Sequence, residues 1–206
     1  MAAEPATIRL DRVSKRYGRQ WVIRELDATF AGVAPIGVRG RNGAGKSTLL
    51  RLLSAQLTPT RGSVRYSLGG RAISPGEMYR HVSWTGPYFE VVEELSLREF
   101  LTFHFRMKPA RDGLDPETML ERTELVPFAD RSLNNCSSGM RQRILLATAL
   151  YAATPILLLD EPTVTFDAAA VDWFHQELGE FARDRLTVIA SNDPADLRAC
   201  TSVIDL

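Results

Sequence analysis

The chain has 206 residues, in which 25 lysines and arginines balance 25 aspartates and glutamates. This length fits one α/β domain, or a core with a small insertion, and the balanced charge gives no overall indication of nucleic-acid binding. The longest apolar tract, ATALYAATPILLL, is too short to span a bilayer and contains Pro155.

The first residues and the cysteines bear on the compartment. MAAEPATIRLDRV lacks the apolar core of a signal peptide, so we expect no targeting segment there. Cys136 and Cys200 form no pattern, which suits a reducing cytosol. Charge is uneven along the chain, with 14 basic and 5 acidic residues in positions 1–80. A basic phosphate-binding half and a mixed-sign solvated surface would both produce this distribution.

The predicted elements begin with a small antiparallel sheet. Apolar and polar residues roughly alternate in two consecutive segments, which is typical of strands with one buried face. These segments are TIRLDRVSKRY and QWVIRELDATF, and GSVRYSL and HVSWT are further strand candidates downstream. The pattern predicts an N-terminal antiparallel β subdomain.

A glycine-rich loop, GRNGAGKST, lies between the short apolar strand VAPIGVRG and the leucine-rich helix STLLRLLSAQL. Gly40, Gly45, Lys46 and Ser47 have the P-loop spacing in the strand–loop–helix context that this motif requires. Backbone N–H groups would surround a phosphate, Lys46 would reach the β- and γ-phosphates, and Ser47 would coordinate Mg²⁺. The predicted nucleotide contacts of the loop are Gly40, Asn42, Gly43, Ala44, Gly45, Lys46, Ser47 and Thr48. The structural alternative is a glycine-rich turn with a chance lysine.

Between about residues 87 and 150 the pattern becomes helical. LSLREFLTFHFRMK and PETMLERTEL are amphipathic helices, separated by the turn-rich segment PARDGLDP. SSGMRQRILLATALYAA is a third helix, beginning at a Ser-Ser-Gly cap. The sequence therefore predicts a helical segment inserted into an α/β core.

The chain after the insert supplies acidic residues at the end of a buried strand. PILLLD is wholly apolar up to Asp160, as in a parallel sheet, and Glu161 follows at once. Asp160 would hold Mg²⁺ through water, and Glu161 would accept a proton from an attacking water. An ordinary solvated turn is the alternative for such a pair taken alone. The helix VDWFHQELGEFARD and the strands LTVIAS and TSVIDL complete the core.

The segment CSSGMRQR resembles the signature sequence of ABC ATPases, in a Ser-Ser-Gly-Met variant. Ser137 and the backbone amides of Ser138 and Gly139 would offer hydrogen-bond donors to a phosphate at a helix start. The P-loop already serves one nucleotide, so this second site would be redundant in a monomer. The resemblance implies a head-to-tail dimer in which each signature serves the opposite subunit's ATP. A capped core helix is the alternative.

The resemblance covers essentially the whole chain. It implies an α/β P-loop NTPase (ABC ATPase) fold with an N-terminal antiparallel β subdomain and an inserted α-helical subdomain. The expected division is a single domain over residues 1–206, with its core in 1–86 and 151–206 and its helical subdomain at about 87–150. Tyr17 stands where the family has an aromatic that stacks on adenine, although it could equally be a packing residue. Asp167 corresponds to the family's D-loop aspartate.

Two positions depart from the family pattern. The Q-loop glutamine is replaced by Pro87 in the alignment, and no glutamine lies nearby. The switch histidine is replaced by Asn192, or by Asp193 after a shift of one residue. An asparagine amide can donate to a γ-phosphate oxygen but carries no charge, and an aspartate would repel the phosphate. The histidines at positions 81, 104 and 175 fall in strand or helix patterns, and we interpret them as packing or surface residues.

The resemblance implies an ATP- and Mg²⁺-dependent ATPase subunit that powers an ABC transporter, with export as the expected direction. Its expected partners are a transmembrane permease subunit and a second nucleotide-binding subunit, with which it forms a homodimer. No nucleic-acid partner is expected. Its expected location is the cytoplasmic face of the cell membrane. The alternatives are a weakly hydrolysing ATP-dependent regulatory module and a non-transport ABC ATPase. We expect the permease to dock on the insert and on residues 87–94, where Tyr88, Phe89, Val91 and Val92 cluster.

Overall fold

The computed structural model of the chain describes residues 5–86, 89, 91–111 and 113–206. The described residues divide into two compact units: those within 5–84, 154–161 and 182–206 form the first, and those within 85–153 and 162–181 form the second. In chain order the elements are β1 (Ala6–Tyr17), β2 (Gln20–Ala31), β3 (Ile36–Arg39), α1 (Lys46–Leu53), β4 (Arg61–Leu68), β5 (Arg71–Ile73), β6 (Val82–Thr85), α2 (Leu97–Met107), α3 (Pro116–Arg122), α4 (Ser138–Leu150), β7 (Ile156–Asp160), α5 (Ala168–Phe181), β8 (Leu186–Ser191) and β9 (Ser202–Asp205). Within the described part of the chain, no helix has the length and apolarity needed to cross a membrane.

The first unit contains the predicted antiparallel sheet, with strand order β2-β1-β4-β5. Strand β1 pairs antiparallel with both β2 and β4, and Ile8 and Leu10 of β1 face the core. Bulges interrupt both ladders, because Arg12 and Glu25 adopt positive φ angles of 45° and 46°. The short strand β5 was not predicted, since three residues are too few to show an alternating pattern.

A second sheet of the first unit has the order β6-β7-β8-β3-β9. Strand β3 lies parallel to β8 and β9, and β7 lies parallel to β8. Every residue of β7 and β8 is buried, which explains their continuous apolar runs. Four leucines of α1 pack into the same core: Leu49, Leu50, Leu52 and Leu53. Each contributes roughly 2 kcal/mol by its burial, so α1 is fixed against the sheet and holds the loop before it.

The second unit is helical, as predicted for the insert, and it also contains residues 162–181. Ser96 and Glu99 form a capping box at the start of α2, and the Asp115 side chain caps α3. Helix α5 begins three residues before the predicted segment, because the Asp167 carboxylate accepts a hydrogen bond from the Ala170 N–H at 2.9 Å. The predicted helices of this part of the chain are all present.

A buried ionic cluster ties three helical segments of the second unit together. Glu177 of α5 accepts hydrogen bonds from the Arg122 guanidinium at 2.9 and 3.0 Å and from the Tyr151 hydroxyl at 2.7 Å. The Trp173 indole N–H donates to the Arg122 carbonyl at 2.8 Å. Burial and the hydrogen bond to Glu177 raise the pKa of Tyr151 far above its usual value. These contacts fix α5 to the end of α3 and to the residue after α4. The observed architecture confirms the predicted fold class.

Candidate functional site

The loop before α1 has the backbone of an anion-binding turn. Gly43 and Gly45 adopt φ angles of 83° and 108°, which are accessible to glycine and strained for other residues. A Cβ on Gly45 would lie 2.8 Å from Val22 Cγ1, so packing also requires glycine there. Gly45 caps α1 without a side-chain hydrogen bond. The N–H groups of the first turn therefore lack an internal side-chain acceptor and can bind an anion.

Lys46 is a buried cation at the start of α1, with 6% of its side chain exposed. Its ammonium group donates to the Gly40 carbonyl at 2.9 Å. The same nitrogen lies 3.0 Å from Glu161 Oε1, forming an ion pair between the loop and the residue after β7. The structure thus brings together the predicted phosphate-binding cation and the predicted general base.

Glu161 is held in an unusual backbone conformation. Its φ angle of 47° lies in the left-handed region, which costs a non-glycine residue of order 1–3 kcal/mol. Its N–H donates to the Ala190 carbonyl at 2.8 Å, and its Oε2 accepts a hydrogen bond from the Ser191 hydroxyl at 2.9 Å. Since residues with such strain cluster at functional sites, the geometry favours a functional role for this carboxylate over a solvated turn.

Asp160 ends β7 and is 2% exposed. Burial, and secondarily the Glu161 charge, raises the pKa of its carboxyl group, while a hydrogen bond to Ser47 and the Lys46 and Arg51 charges oppose the shift. Within the described part of the chain, Oδ1 of Asp160 has no hydrogen-bond partner. A buried carboxylate oxygen without a partner, next to the Ser47 hydroxyl, fits a hard divalent cation that binds oxygen ligands.

Asn192 lies beside residues 39–42, at the start of the glycine-rich loop. It lines a pocket of about 540 Å³ together with residues 39–42 of the loop and with Asp205 and Leu206. Asp193 is engaged locally, because its carboxylate accepts the Ala195 N–H at 2.8 Å. The geometry therefore favours Asn192 over Asp193 as the residue beside the loop, and its role at a phosphate stays a prediction.

The signature segment lies in the second unit at the start of α4. Ser137 caps this helix, and its hydroxyl accepts the Met140 N–H at 3.3 Å. Among the described residues, a Cβ on Gly139 would find only the Thr165 carbonyl oxygen, at 3.8 Å, within contact range. The fold itself therefore gives no steric reason for glycine at this position. The phosphate-binding role of Ser137, Ser138 and Gly139 stays a prediction.

The remaining predicted residues are placed as follows. Tyr17 ends β1, is 45% exposed and has the Lys15 ammonium 5.5 Å from its ring centroid. Ser47 and Thr48 lie in the first turn of α1. Pro87 and Tyr88, predicted at the Q-loop and in the docking segment, lie outside the described residues. Phe89 and Val92 of that segment are 43% and 52% exposed.

Sequence reasoning missed Ser191, the hydroxyl partner of Glu161. Its signal was present but indirect. Asp160 pairs with Ala190 where β7 and β8 run parallel, so the next residues along each strand, Glu161 and Ser191, come side by side. The carboxyl ends of adjacent parallel strands are the usual place for such sites, but the register is not readable from either strand alone.

Comparisons with known proteins agree on one family. The model of the family described as ABC transporter matches residues 23–164. The cobalamin import ATP-binding protein BtuD of Halobacterium salinarum is 38% identical over 153 residues, which cover 70% of this chain and 38% of that protein. The aliphatic sulfonates import ATP-binding protein SsuB of Burkholderia pseudomallei is 35% identical over 167 residues, covering 81% and 48%.

A third relative is named for resistance and not for import. The daunorubicin resistance ATP-binding protein DrrA2 of Streptomyces coeruleorubidus is 33% identical over 163 residues, covering 78% of this chain and 51% of that protein. The chain thus spans about half the length, or less, of these curated relatives.

Solved structures share the fold. A dimeric bacterial ABC transporter cassette matches with a TM-score of 0.82 at 21% identity, covering 97% of this chain and 94% of that one. A bacterial Atm1-family ABC exporter with ATP bound also matches with a TM-score of 0.82, at 20% identity, covering 100% and 38%.

Proposed function

The chain belongs to the ABC transporter family, and we propose that it is an ATP-binding and ATP-hydrolysing subunit that powers an ABC transporter. One observation carries this proposal: Lys46, Asp160 and Glu161 meet at the carboxyl end of β7, beside the glycine loop of α1. A cation for the phosphates, a carboxylate for Mg²⁺ and a second carboxylate beside the attacking water are groups that phosphoryl transfer to water uses.

Nucleotide binding in this proposal changes the partner of Lys46. The loop amides and Lys46 take the β- and γ-phosphates, so the ammonium group exchanges its ion pair with Glu161 for the nucleotide. This exchange leaves the Glu161 carboxylate as a proton acceptor. Tyr17, half exposed at the end of β1, is the proposed stacking residue for adenine.

Magnesium is the cation that fits the remaining groups. Ser47 and Asp160 would hold it, since Mg²⁺ is commonly bound by one or two protein oxygens together with substrate phosphates. Bound there, Mg²⁺ would neutralise part of the charge that develops on the phosphates.

The chain's own residues carry the proton and charge steps. Glu161 accepts the proton of the attacking water, a role that contributes typically about 10²–10⁴-fold to rate. The Asn192 amide donates to a γ-phosphate oxygen without adding charge. When the product phosphate leaves, the proton remains on the carboxyl group of Glu161, and water then removes this proton.

A second candidate function is an ATP-dependent regulatory module that hydrolyses little. The neutral Asn192 beside the loop favours it, because the family resemblance implies a histidine at this position and an amide cannot shuttle a proton. The Lys46–Glu161–Asp160 group opposes it, because binding alone does not need a general base.

The second unit supplies the proposed dimer contact. The start of α4 offers N–H groups, and no described residue lies closer than 3.8 Å to the position of a Cβ on Gly139. A phosphate of the opposite copy's nucleotide fits this space, as the resemblance to the signature sequence implies. We therefore include homodimerisation on ATP in the proposed function.

The membrane partner is proposed from exposure. Phe89 and Val92 precede α2 and are largely exposed, as are Phe103 and Met107 on α2 itself. Exposed apolar groups of this number favour a protein partner, here the transmembrane permease at the cytoplasmic face of the membrane.

Export is the proposed direction of transport, supported by the resemblance of the Ser-Ser-Gly-Met signature to those of exporters. Two relatives have import in their names, so import is the first alternative to test. Transport assays in membrane vesicles separate export from import: an exporter should drive ATP-dependent uptake of its substrate into inside-out vesicles, and an importer into right-side-out vesicles.

Two measurements on the full chain test the core of the proposal: binding of a fluorescent ATP analogue, and steady-state phosphate release with Mg²⁺ and the membrane partner present. We expect both binding and slow turnover. In Lys46→Ala, affinity should fall by about 100-fold or more, because several charge-assisted hydrogen bonds of roughly 1.5–3 kcal/mol each are lost. Near-normal affinity of this variant would refute the assignment, and binding without turnover would favour the regulatory module.

A further inference from the structure

The Glu161 carboxylate is held by two groups, one on each oxygen. Oε1 lies 3.0 Å from the Lys46 ammonium, and Oε2 accepts the Ser191 hydroxyl at 2.9 Å. The carboxylate side chain is 19% exposed, so both contacts are largely shielded from water. Together they fix the rotation of the carboxylate group.

Two hydrogen bonds and burial hold the Ser191 side chain in place. It is fully buried at the end of β8, and its oxygen accepts the Asp193 N–H at 3.0 Å while its hydrogen points to Glu161. A serine hydroxyl has one donor, so its bond to Asp193 as an acceptor orients the donor toward the carboxylate. The same turn carries Asn192, which lies beside the glycine loop.

Nucleotide binding removes one of the two contacts of Glu161. Resting on the proposed function, Lys46 leaves Oε1 for the phosphates, and the contact with Ser191 is then the remaining side-chain contact of Glu161 seen in the described structure. A carboxylate with one free oxygen and one anchored oxygen can accept a proton on the free side without rotating away from the water.

We propose that Ser191 is a positioning residue that holds Glu161 in its reactive orientation once Lys46 has moved to the nucleotide. It acts through Glu161 and needs no contact with the substrate. Its hydroxyl also joins the general base to the turn of Asn192, so the proposed γ-phosphate contact and the base share one hydrogen-bonded support.

The contact itself is tested without nucleotide. The thermal unfolding midpoints of the unmodified chain, Ser191→Ala, Glu161→Ala and the double variant form a double-mutant cycle. If the hydroxyl bonds the carboxylate, the double variant should lose measurably less than the sum of the two single shifts, because either change alone already breaks the contact. Additive shifts would overturn the proposal.

Kinetics test the positioning role. We expect kcat of Ser191→Ala to fall by about tenfold, which is the size of effect seen when a metal-binding side chain loses the partner that orients it. The KM for MgATP and the ATP affinity should stay within about twofold, since the groups that hold the nucleotide are untouched. Ser191→Thr keeps the hydroxyl and should recover most of kcat. Ser83→Ala is the matched control: Ser83 is also buried in this sheet and accepts the Thr154 hydroxyl at 2.9 Å, near the start of β7 instead of its end.

The outcomes separate this inference from the proposed function. Unchanged kcat in Ser191→Ala, a loss confined to ATP affinity, or an equal loss in Ser83→Ala would each overturn the positioning role. Absence of ATP binding or turnover in the unmodified chain would instead refute the proposed function, while the unfolding cycle would still decide whether Ser191 holds Glu161.

Discussion

Helices α1 and α4 both begin at small residues, but their first turns are built differently. The start of α1 is closed within its own unit: Gly45 packs against Val22, and Lys46 reaches Gly40 and Glu161. The start of α4 is more open: Ser137 caps one N–H, and a Cβ added to Gly139 would meet no described atom closer than 3.8 Å. Glycine at α1 is explained by packing and by φ, whereas no contact among the described residues requires glycine at the start of α4.

The start of α1 therefore has its proposed functional groups in place within one unit, whereas in the described structure the start of α4 does not. The first unit can position phosphates, cation and base with its own residues. The start of α4 in the second unit is proposed to serve the nucleotide of another copy. The proposed function joins the α1 site of one copy to the α4 site of another, so changes at the two helix starts should have separable effects.

The largest expected effect concerns the base of the α1 site. Glu161→Gln should lower turnover by about 10³-fold, because an amide cannot accept the proton. ATP affinity should be retained or rise, since Lys46 loses a competing charge. Phosphate release and equilibrium binding measure the two quantities; turnover equal to that of the unmodified chain would remove Glu161 from the mechanism.

The next effect separates the two helix starts. Gly139→Ala adds a methyl group that the fold accommodates, and it should even favour α4 by up to about 1 kcal/mol. A nucleotide that approaches α4 closely would not accommodate it, so turnover should fall by about 10-fold to 100-fold with unchanged binding at the α1 site.

Gly179→Ala is the matched control for that change. Gly179 lies within α5, in the same unit, and its added Cβ also meets no atom within 4 Å. Its turnover should stay within about twofold of the unmodified chain. Equal losses in both variants, or no loss in Gly139→Ala, would mean that the open start of α4 serves no nucleotide.

A smaller effect concerns pH and belongs to the second unit alone. Burial, then the Lys108 charge, lowers the pKa of His104 to about 4 from 6.5, against a hydrogen bond with the Thr148 backbone. The unfolded chain therefore binds a proton that the folded chain excludes in this window, and stability is lost as the pH falls from about 6.5 toward 4.

At pH 5 this loss should be about 2 kcal/mol relative to pH 7. Urea unfolding at the two pH values measures it, and His104→Leu should lack this part of the pH dependence. ATP affinity at the α1 site should not follow the His104 titration. Identical pH dependence of stability in the variant and the unmodified chain would show that His104 is not excluded from protonation.

The smallest expected effect is at Asn192. Asn192→His should leave turnover unchanged or raise it by up to about tenfold, because an imidazole can also donate to a phosphate oxygen at the same pocket and, unlike an amide, can exchange a proton. A fall in turnover would mean that asparagine suits this site better than the histidine that the family resemblance implies. Steady-state phosphate release at fixed pH decides the sign.

The sequence was enough to predict the contacts that local patterns encode. The loop from Gly40 to Ser47 and the pair after β7 follow from spacing and from an apolar run, and the structure places Lys46 and Glu161 together. The bond between Ser191 and Glu161 depends on the register of β7 against β8, which neither segment shows alone. The left-handed φ of Glu161 was also unpredictable, because glutamate ordinarily avoids that region.

The sequence pattern also could not predict which segments pack together in the second unit. The segment 162–181 has an amphipathic helix much like those of the insert, and its place in the second unit depends on the contacts of Glu177 with Arg122 and Tyr151. Those contacts join residues 26 and 55 positions apart along the chain. No window of the sequence contains all three residues in a recognisable motif.

Size-exclusion chromatography of Glu161→Gln with and without MgATP tests the central claim most directly. The account predicts a monomer without nucleotide and a dimer with it, because turnover no longer releases the ATP that joins the α1 site of one copy to the α4 site of the other. Adding Gly139→Ala to the same chain should restore the monomer while ATP stays bound. A Glu161→Gln chain that binds ATP and remains monomeric, or a dimer indifferent to Gly139→Ala, would contradict the claim.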